Sequence, residues 1–156
     1  MRRVFKIIIM LLIVGFVVIQ FFQPPRNNSN DSSGLITEKE PMPENIKQIF
    51  NSSCIDCHSN QTRYWWYDKI SPASWFVYDH IKDGKEELNL SEWGEMDIFD
   101  QIGILDKVGK EVKGKHMPLK SYKLMHKQAR LTEEQIDEFV EWTKNHSEEL
   151  LKSLSD

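Results

Sequence analysis

From Ile7 to Phe22 the chain is apolar at every position except Gly15 and Gln20, and Arg2, Arg3 and Lys6 stand just ahead of that run. A basic start followed by an apolar stretch reads as a signal sequence or a membrane anchor. The run ends in Ile19-Gln20-Phe21-Phe22-Gln23-Pro24-Pro25, which lacks the small residues of a cleavage site, and no cysteine follows closely enough for a lipoprotein. Counted from Val4 it reaches the ~17–25 residues that a spanning helix needs, so residues 1–23 are expected to be an uncleaved transmembrane anchor. The basic end is then expected to stay on the cytoplasmic side, with everything after it on the periplasmic or outer side. Residues 24–40 are rich in Asn, Ser and Asp without apolar periodicity, which predicts a flexible linker.

After the linker the pattern turns helical. Pro43 suits a helix start, and Ile46, Ile49 and Phe50 follow at helical spacing. Ser71-Pro72 marks a second start, with Trp75, Phe76 and Ile81 as its apolar face and Gly84 as its end. Ile98, Ile102, Leu105, Val108 and Val112 make a third stripe, closed by Gly114. Thr132 to Gln135 is a capping box; it opens a last helix carrying Ile136, Phe139, Val140 and Thr143, with Trp142 on its flank. No stretch alternates with period two and no repeat occurs, so residues 41–156 are predicted to form one all-α domain.

Composition changes this picture in one respect. The chain has 156 residues, 40% of them hydrophobic, enough for an anchor and one domain. Beyond Lys6 there are 17 basic against 24 acidic residues. An acidic domain lacks the basic footprint of a nucleic-acid binder.

The candidate chemistry sits in Cys54-Ile55-Asp56-Cys57-His58, which holds both cysteines of the chain. Two thiols three apart with a histidine directly after the second is the attachment pattern of c-type haem. Each thiol adds across one porphyrin vinyl group, and the adjoining imidazole serves as proximal iron ligand. A zinc site needs four ligands, usually as a second Cys/His pair at similar spacing, and none of His80, His116, His126 and His146 is so paired. A redox dithiol belongs in a βαβ context that this chain lacks. A disulfide across two intervening residues closes too small a loop to add much stability.

An N-terminal helix with an aromatic before the motif, and a C-terminal helix with Phe139 and Trp142, resemble the crossed terminal helices of class I cytochromes c. Met117-Pro118 lies 59 residues beyond His58, where that class places its second axial ligand. A thioether there favours ferrous iron and raises the reduction potential. From about Pro43 to Glu141 the chain is similar to the small bacterial haem-binding domain family. The shared residues are Cys54 to Thr62, Trp66-Tyr67, Ile70-Ser71-Pro72, Trp75, His80-Ile81, Asn89 to Trp93, Met117-Pro118, Tyr122, His126 and Leu131 to Glu134. It departs at Trp65, Leu119 and Lys127, where proline is expected. The resemblance implies one covalent haem c in an exported, often membrane-anchored domain.

His116 adjoins Met117, so only one of them can face an iron, and the family motif favours the methionine. His80 is expected to contact the haem surroundings rather than the metal, His126 and His146 to lie at the surface or behind the ligands, and Met96 and Met125 to fill the core. The site is thus expected to be Cys54, Cys57, His58 and Met117, with His58 and Met117 on the iron. The function expected is a membrane-anchored electron carrier between a redox donor and an acceptor. A peroxidase or gas sensor with an open axial position is the alternative, with Arg63 or His80 as the available distal groups; a haem-delivery or structural module is a third.

Overall fold

The computed structural model describes residues 1–155. Eight α-helices run in the order α1 (Arg2–Ile19), α2 (Ile36–Lys39), α3 (Glu44–Ser53), α4 (Ile55–His58), α5 (Ala73–Glu87), α6 (Ile98–Lys113), α7 (Lys120–Met125) and α8 (Glu133–Ser153). Short 3₁₀ turns at Tyr67–Lys69, Leu90–Glu95 and Lys127–Ala129 join them. Among the described residues there is no strand, only an isolated bridge between Asn28 and Gln61. The all-α expectation holds.

The core forms where the helical stripes meet. Ile46, Ile49 and Phe50 of α3, Leu105 and Val112 of α6, and Ile136 and Phe139 of α8 are buried together with Trp93. Phe50 meets Phe139 edge-on at 5.2 Å and Trp142 at 5.7 Å, so the helix before the cysteine motif leans on the last helix through aromatic contacts. The expected capping box opens α8: Thr132 Oγ1 accepts from the Gln135 N–H and the Gln135 side chain accepts from the Thr132 N–H. Asp97 caps α6 one way, its carboxylate accepting from the Phe99 and Asp100 amides.

Four expectations need correction. Among the described residues no helix is long and apolar enough to cross a membrane. Helix α1 ends at Ile19, short of the expected residue 23, and three of its 18 positions are Arg2, Arg3 and Lys6. Its uncharged part, Ile7 to Ile19, extends only ~20 Å at 1.5 Å per residue, against a hydrocarbon core of ~30 Å.

The 24–40 stretch is not a free linker. Leu35, Ile36 and Thr37 are buried, the Asn27 amide donates to the Ser59 carbonyl and to Thr62, and a Cβ at Gly34 would collide with the Ser91 carbonyl. Composition alone misread it because it holds only one apolar pair, Leu35-Ile36, behind polar residues such as Asn27 that bond to the loop after the motif.

Gly84, expected to end a helix, sits inside α5, which continues to Glu87. A Cβ there would lie 2.9 Å from the Cys57 carbonyl oxygen, so the glycine lets α5 press against α4. The expected apolar face of α5 is also displaced: Trp75 and Phe76 are exposed, while Ser74 and Ile81 are buried.

Candidate haem-binding site

The motif begins where α3 stops. Cys54 is the residue between α3 and α4, and its carbonyl accepts from the Cys57 and His58 amides, which turns the chain and sets Cys54 and Cys57 along one side. Ser59 ends the turn by donating its hydroxyl to the Ile55 carbonyl at 2.8 Å and accepting from the Gln61 amide. Thr62 donates to the Asp56 carbonyl at 2.7 Å. Ser59 and Thr62 thus satisfy backbone carbonyls that the four-residue helix leaves open.

Asp56, a spacer residue between the cysteines, is the buried anchor of this turn. Its carboxylate accepts from the Arg63 amide at 3.2 Å, from Arg63 Nε at 3.0 Å and from the Tyr122 hydroxyl at 2.7 Å. Burial and the neighbouring Asp56 charge hold Tyr122 well above the usual phenol range. Tyr122 stacks on His126 at 4.0 Å, and His126 Nε2 meets the Tyr67 hydroxyl. His126 is buried, which fits a place behind the ligands rather than at the surface; burial pulls its pKa below the ordinary histidine value. His146 is buried too, between Glu40 at 2.8 Å and Glu149 at 3.3 Å, far in sequence from the motif.

His58 is half-buried, and its Nδ1 lies 3.2 Å from the Leu88 carbonyl. A carbonyl only accepts, so Nδ1 carries the proton and Nε2 keeps its lone pair for a metal. Burial lowers the His58 pKa, which favours the neutral ligating form. Leu88 is held in place by the segment after it: the Asn89 side chain accepts from the Ser91 amide and donates to Asn60, and Ser91 Oγ accepts from the Asn60 amide. Loop 59–61 and segment 88–91 therefore fix His58 from both sides.

Three adjoining cavities line the motif. One of about 290 Å³ is walled by Phe50, Cys54, His58, Leu88, Met117 and Leu131. A second of about 260 Å³ shares His58, Met117 and Pro118 with it and adds Cys57 and Gly84. A third of about 380 Å³ meets the second at Cys57, His80, Leu119 and Tyr122 but touches neither His58 nor Met117. The first two together bring all four expected site residues into one cleft. His116 turns to solvent beside Glu111, while Met117 is half-buried in the cleft wall.

Both cysteines are free thiols, and burial pushes each up to about 12. Among the described residues no three His, Cys, Asp or Glu side chains gather as a metal site, so the cluster that zinc requires is missing. Two protonated thiols on one turn, an imidazole with its second nitrogen free, a thioether and an apolar cleft fit a haem.

Leu88 and Asp56 went unseen as site elements in the sequence, and the pairing of His126 with Tyr67 was not visible there. The first acts through its backbone, which leaves no side-chain signal; Asp56 was visible as a spacer, but its partners lie 7 and 66 residues away.

None of the curated proteins and none of the solved structures matches the chain. A family model described as a haem-binding domain matches residues 14–145, which include the motif, Met117 and most of α8. That match covers most of the chain, and the protein belongs to the haem-binding domain family.

Proposed function

We propose that this haem-binding protein is a c-type cytochrome that carries one covalent haem and transfers electrons on the outer side of a membrane. The observation that carries the reading is the His58 hydrogen bond to the Leu88 carbonyl, which leaves Nε2 free in the cleft that Met117 also lines. Cys54 and Cys57 would hold the ring through thioethers, and His58 and Met117 would be the axial ligands. The haem supplies one-electron exchange between ferric and ferrous iron. The chain's own contribution is to fix the imidazole tautomer, supply a soft sulfur ligand and keep water from the cleft with Phe50, Leu88 and Leu131.

A carrier fits better than a peroxidase because a thioether lines the cleft beside His58, and Arg63, one of the two candidate distal groups, is held by Asp56. Attachment to the membrane through α1 is part of the proposal. Its supports are the basic residues at its start and the many apolar side chains it leaves exposed, none of them buried against the domain, the features of a helix that lies in a membrane interface.

An optical spectrum of the oxidised and reduced protein, matured with haem, tests this. The haem is expected to stay with the chain through acid-acetone extraction and denaturing electrophoresis. The ferric form is expected to be low-spin with a weak long-wavelength thioether band that Met117→Ala removes while lowering the potential. Extractable haem, or a high-spin spectrum indifferent to Met117→Ala, would sink the reading.

A further inference from the structure

The third cavity is left unused by that function. It touches neither proposed iron ligand, yet Cys57 stands in the wall it shares with the cleft. The surface it exposes is almost wholly apolar, with Trp65, Phe76, Val77 and Leu119 in the walls, although Arg63, His80, Tyr122 and His126 also line it. Phe76, Leu124 and Met125 are exposed around it. Asp68 breaks the lining. Its residue is only 8% exposed, and its Oδ2 accepts from the Trp65 amide at 2.7 Å. Its Oδ1 is buried without any hydrogen-bond partner, the only side-chain atom so placed among the described residues. A buried carboxylate oxygen with no donor is unfavourable. Its complement is a ligand that brings a hydroxyl on an apolar frame.

We propose that this cavity is an electron-entry site that binds a hydroquinone, its ring against Trp65 and Phe76 and one phenolic hydroxyl donating to Asp68 Oδ1. The aromatic walls select a flat ring. An ammonium ligand would lose its hydration to a cavity with almost no polar surface, and an acyl chain has no donor for Asp68. The approach is also placed for a lipid-dissolved molecule. The end of α1 is tied beside the cavity, through Gln20 to the Ser71 backbone at 2.9 and 3.0 Å and through the Trp75 indole to the Phe22 carbonyl at 2.6 Å. Ala73, Phe76 and Val77, the next residues of α5, form the cavity wall.

The proposal rests on the covalent-haem reading, since Cys57 would place the edge of the ring next to this cavity. Oxidation of one hydroquinone to the quinone releases two electrons and two protons. Two ferric haems take one electron each, on two copies of the chain or on one copy re-oxidised between visits by its downstream one-electron acceptor. One phenolic proton leaves by way of Asp68 to water, and the other passes to water from the hydroxyl at the far end of the ring. Burial raises the Asp68 carboxyl above its ordinary range, which suits a transient proton acceptor.

The test uses the full-length, haem-loaded protein in detergent. Held ferrous and anaerobic, so that no electron can pass, it is titrated with tetramethylhydroquinone in a calorimeter. Saturable one-to-one binding is expected, weakened at least tenfold by Asp68→Asn and by Leu124→Arg. Leu124 is exposed, so its variant decides the matter if Asp68→Asn does not fold. The ferric protein mixed rapidly with the same hydroquinone should be reduced at a rate that saturates with concentration and falls at least tenfold in both variants. Absence of saturable heat, or binding equal to wild type in both variants, overturns the proposal. So does a reduction rate that climbs linearly and ignores the substitutions, because that marks collision with an exposed haem edge. Haem staining on a denaturing gel of the same sample reports on covalent attachment separately, so failure of that reading is not confused with failure of this one.

Discussion

Asp56 shows how much one residue between the cysteines holds together. Its buried carboxylate takes the Arg63 amide and Nε on Oδ1, and the Tyr122 hydroxyl and Arg63 Nη2 on Oδ2. Asp56→Ala leaves a phenol in an apolar wall without an acceptor and releases an arginine that is itself about half exposed, so the arginine's share is small. A loss of about 2 kcal/mol is expected, and about 1 kcal/mol for Tyr122→Phe. By the usual scaling the larger loss is a fall of roughly 4–8 °C in melting temperature, which calorimetry of the two variants would check. His126 gives a pH dependence whose sign follows from burial. Its folded pKa lies below the ordinary value of 6.5. As pH drops through that ordinary value the unfolded chain takes up a proton that the folded chain refuses, so stability declines from there down through the folded pKa. His126→Phe keeps the stack on Tyr122 and abolishes this contribution; its melting temperature should fall less than the wild type's between neutral and mildly acid pH. If the two profiles run parallel, His126 is not the group responsible. In the sequence, His126 and His146 could be placed only at the surface or behind the ligands, because their partners, Tyr67 and Glu40, are 59 and 106 positions away.

At the scale of helices, what the periodicity revealed and what it concealed differ for one reason. A stripe of apolar residues records which side of a helix faces inward, and Leu105, Val112, Ile136 and Phe139 are buried where their spacing put them. It does not record how close two backbones come. Gly84 read as a helix end because glycine often ends helices, yet it lies within α5 against the Cys57 carbonyl. Gly109 on α6 likewise lies so near Thr143 of α8 that a Cβ would meet its hydroxyl oxygen at 2.6 Å. Substituting Gly84 with Val should force α5 away from α4, at a cost of about 1–3 kcal/mol for overpacking. It should also lower haem incorporation, because α5 forms the wall on which the motif rests. Haem stain per unit of folded protein is the measurement; incorporation equal to wild type would show that the contact is not needed to present the thiols. The stretch before α3 belongs to the same lesson. Glu40 accepts from the Trp93 indole at 2.7 Å and meets His146 at 2.8 Å, so a segment with the composition of a linker clamps the core to α8.

For the molecule as a whole, the cleft sets a condition on folding. Phe50 of α3, Val108 and Val112 of α6, Met117 and Leu131 converge on a cavity that side chains leave unfilled, and a second such cavity separates Met117 from Cys57 and Gly84. Unfilled apolar space forfeits dispersion contacts and costs stability in proportion to its size. A domain of this length has little in reserve, its net stability being about 5–15 kcal/mol. A group that binds only the folded chain repays that deficit through mass action, and covalent attachment makes the repayment permanent. The chain with Cys54→Ala and Cys57→Ala, produced without haem, is therefore expected to lose its cooperative melt and to be cut by proteases within the loops between α4 and α5 and between α6 and α7. The capping box of α8 and the α6–α8 contact do not depend on the cleft, so residual helical signal should survive in circular dichroism while near-ultraviolet tryptophan signals collapse. A variant that melts cooperatively at the holo protein's temperature would show instead that the helices close the cleft by themselves. The haem would then be cargo carried by a finished fold rather than part of its core.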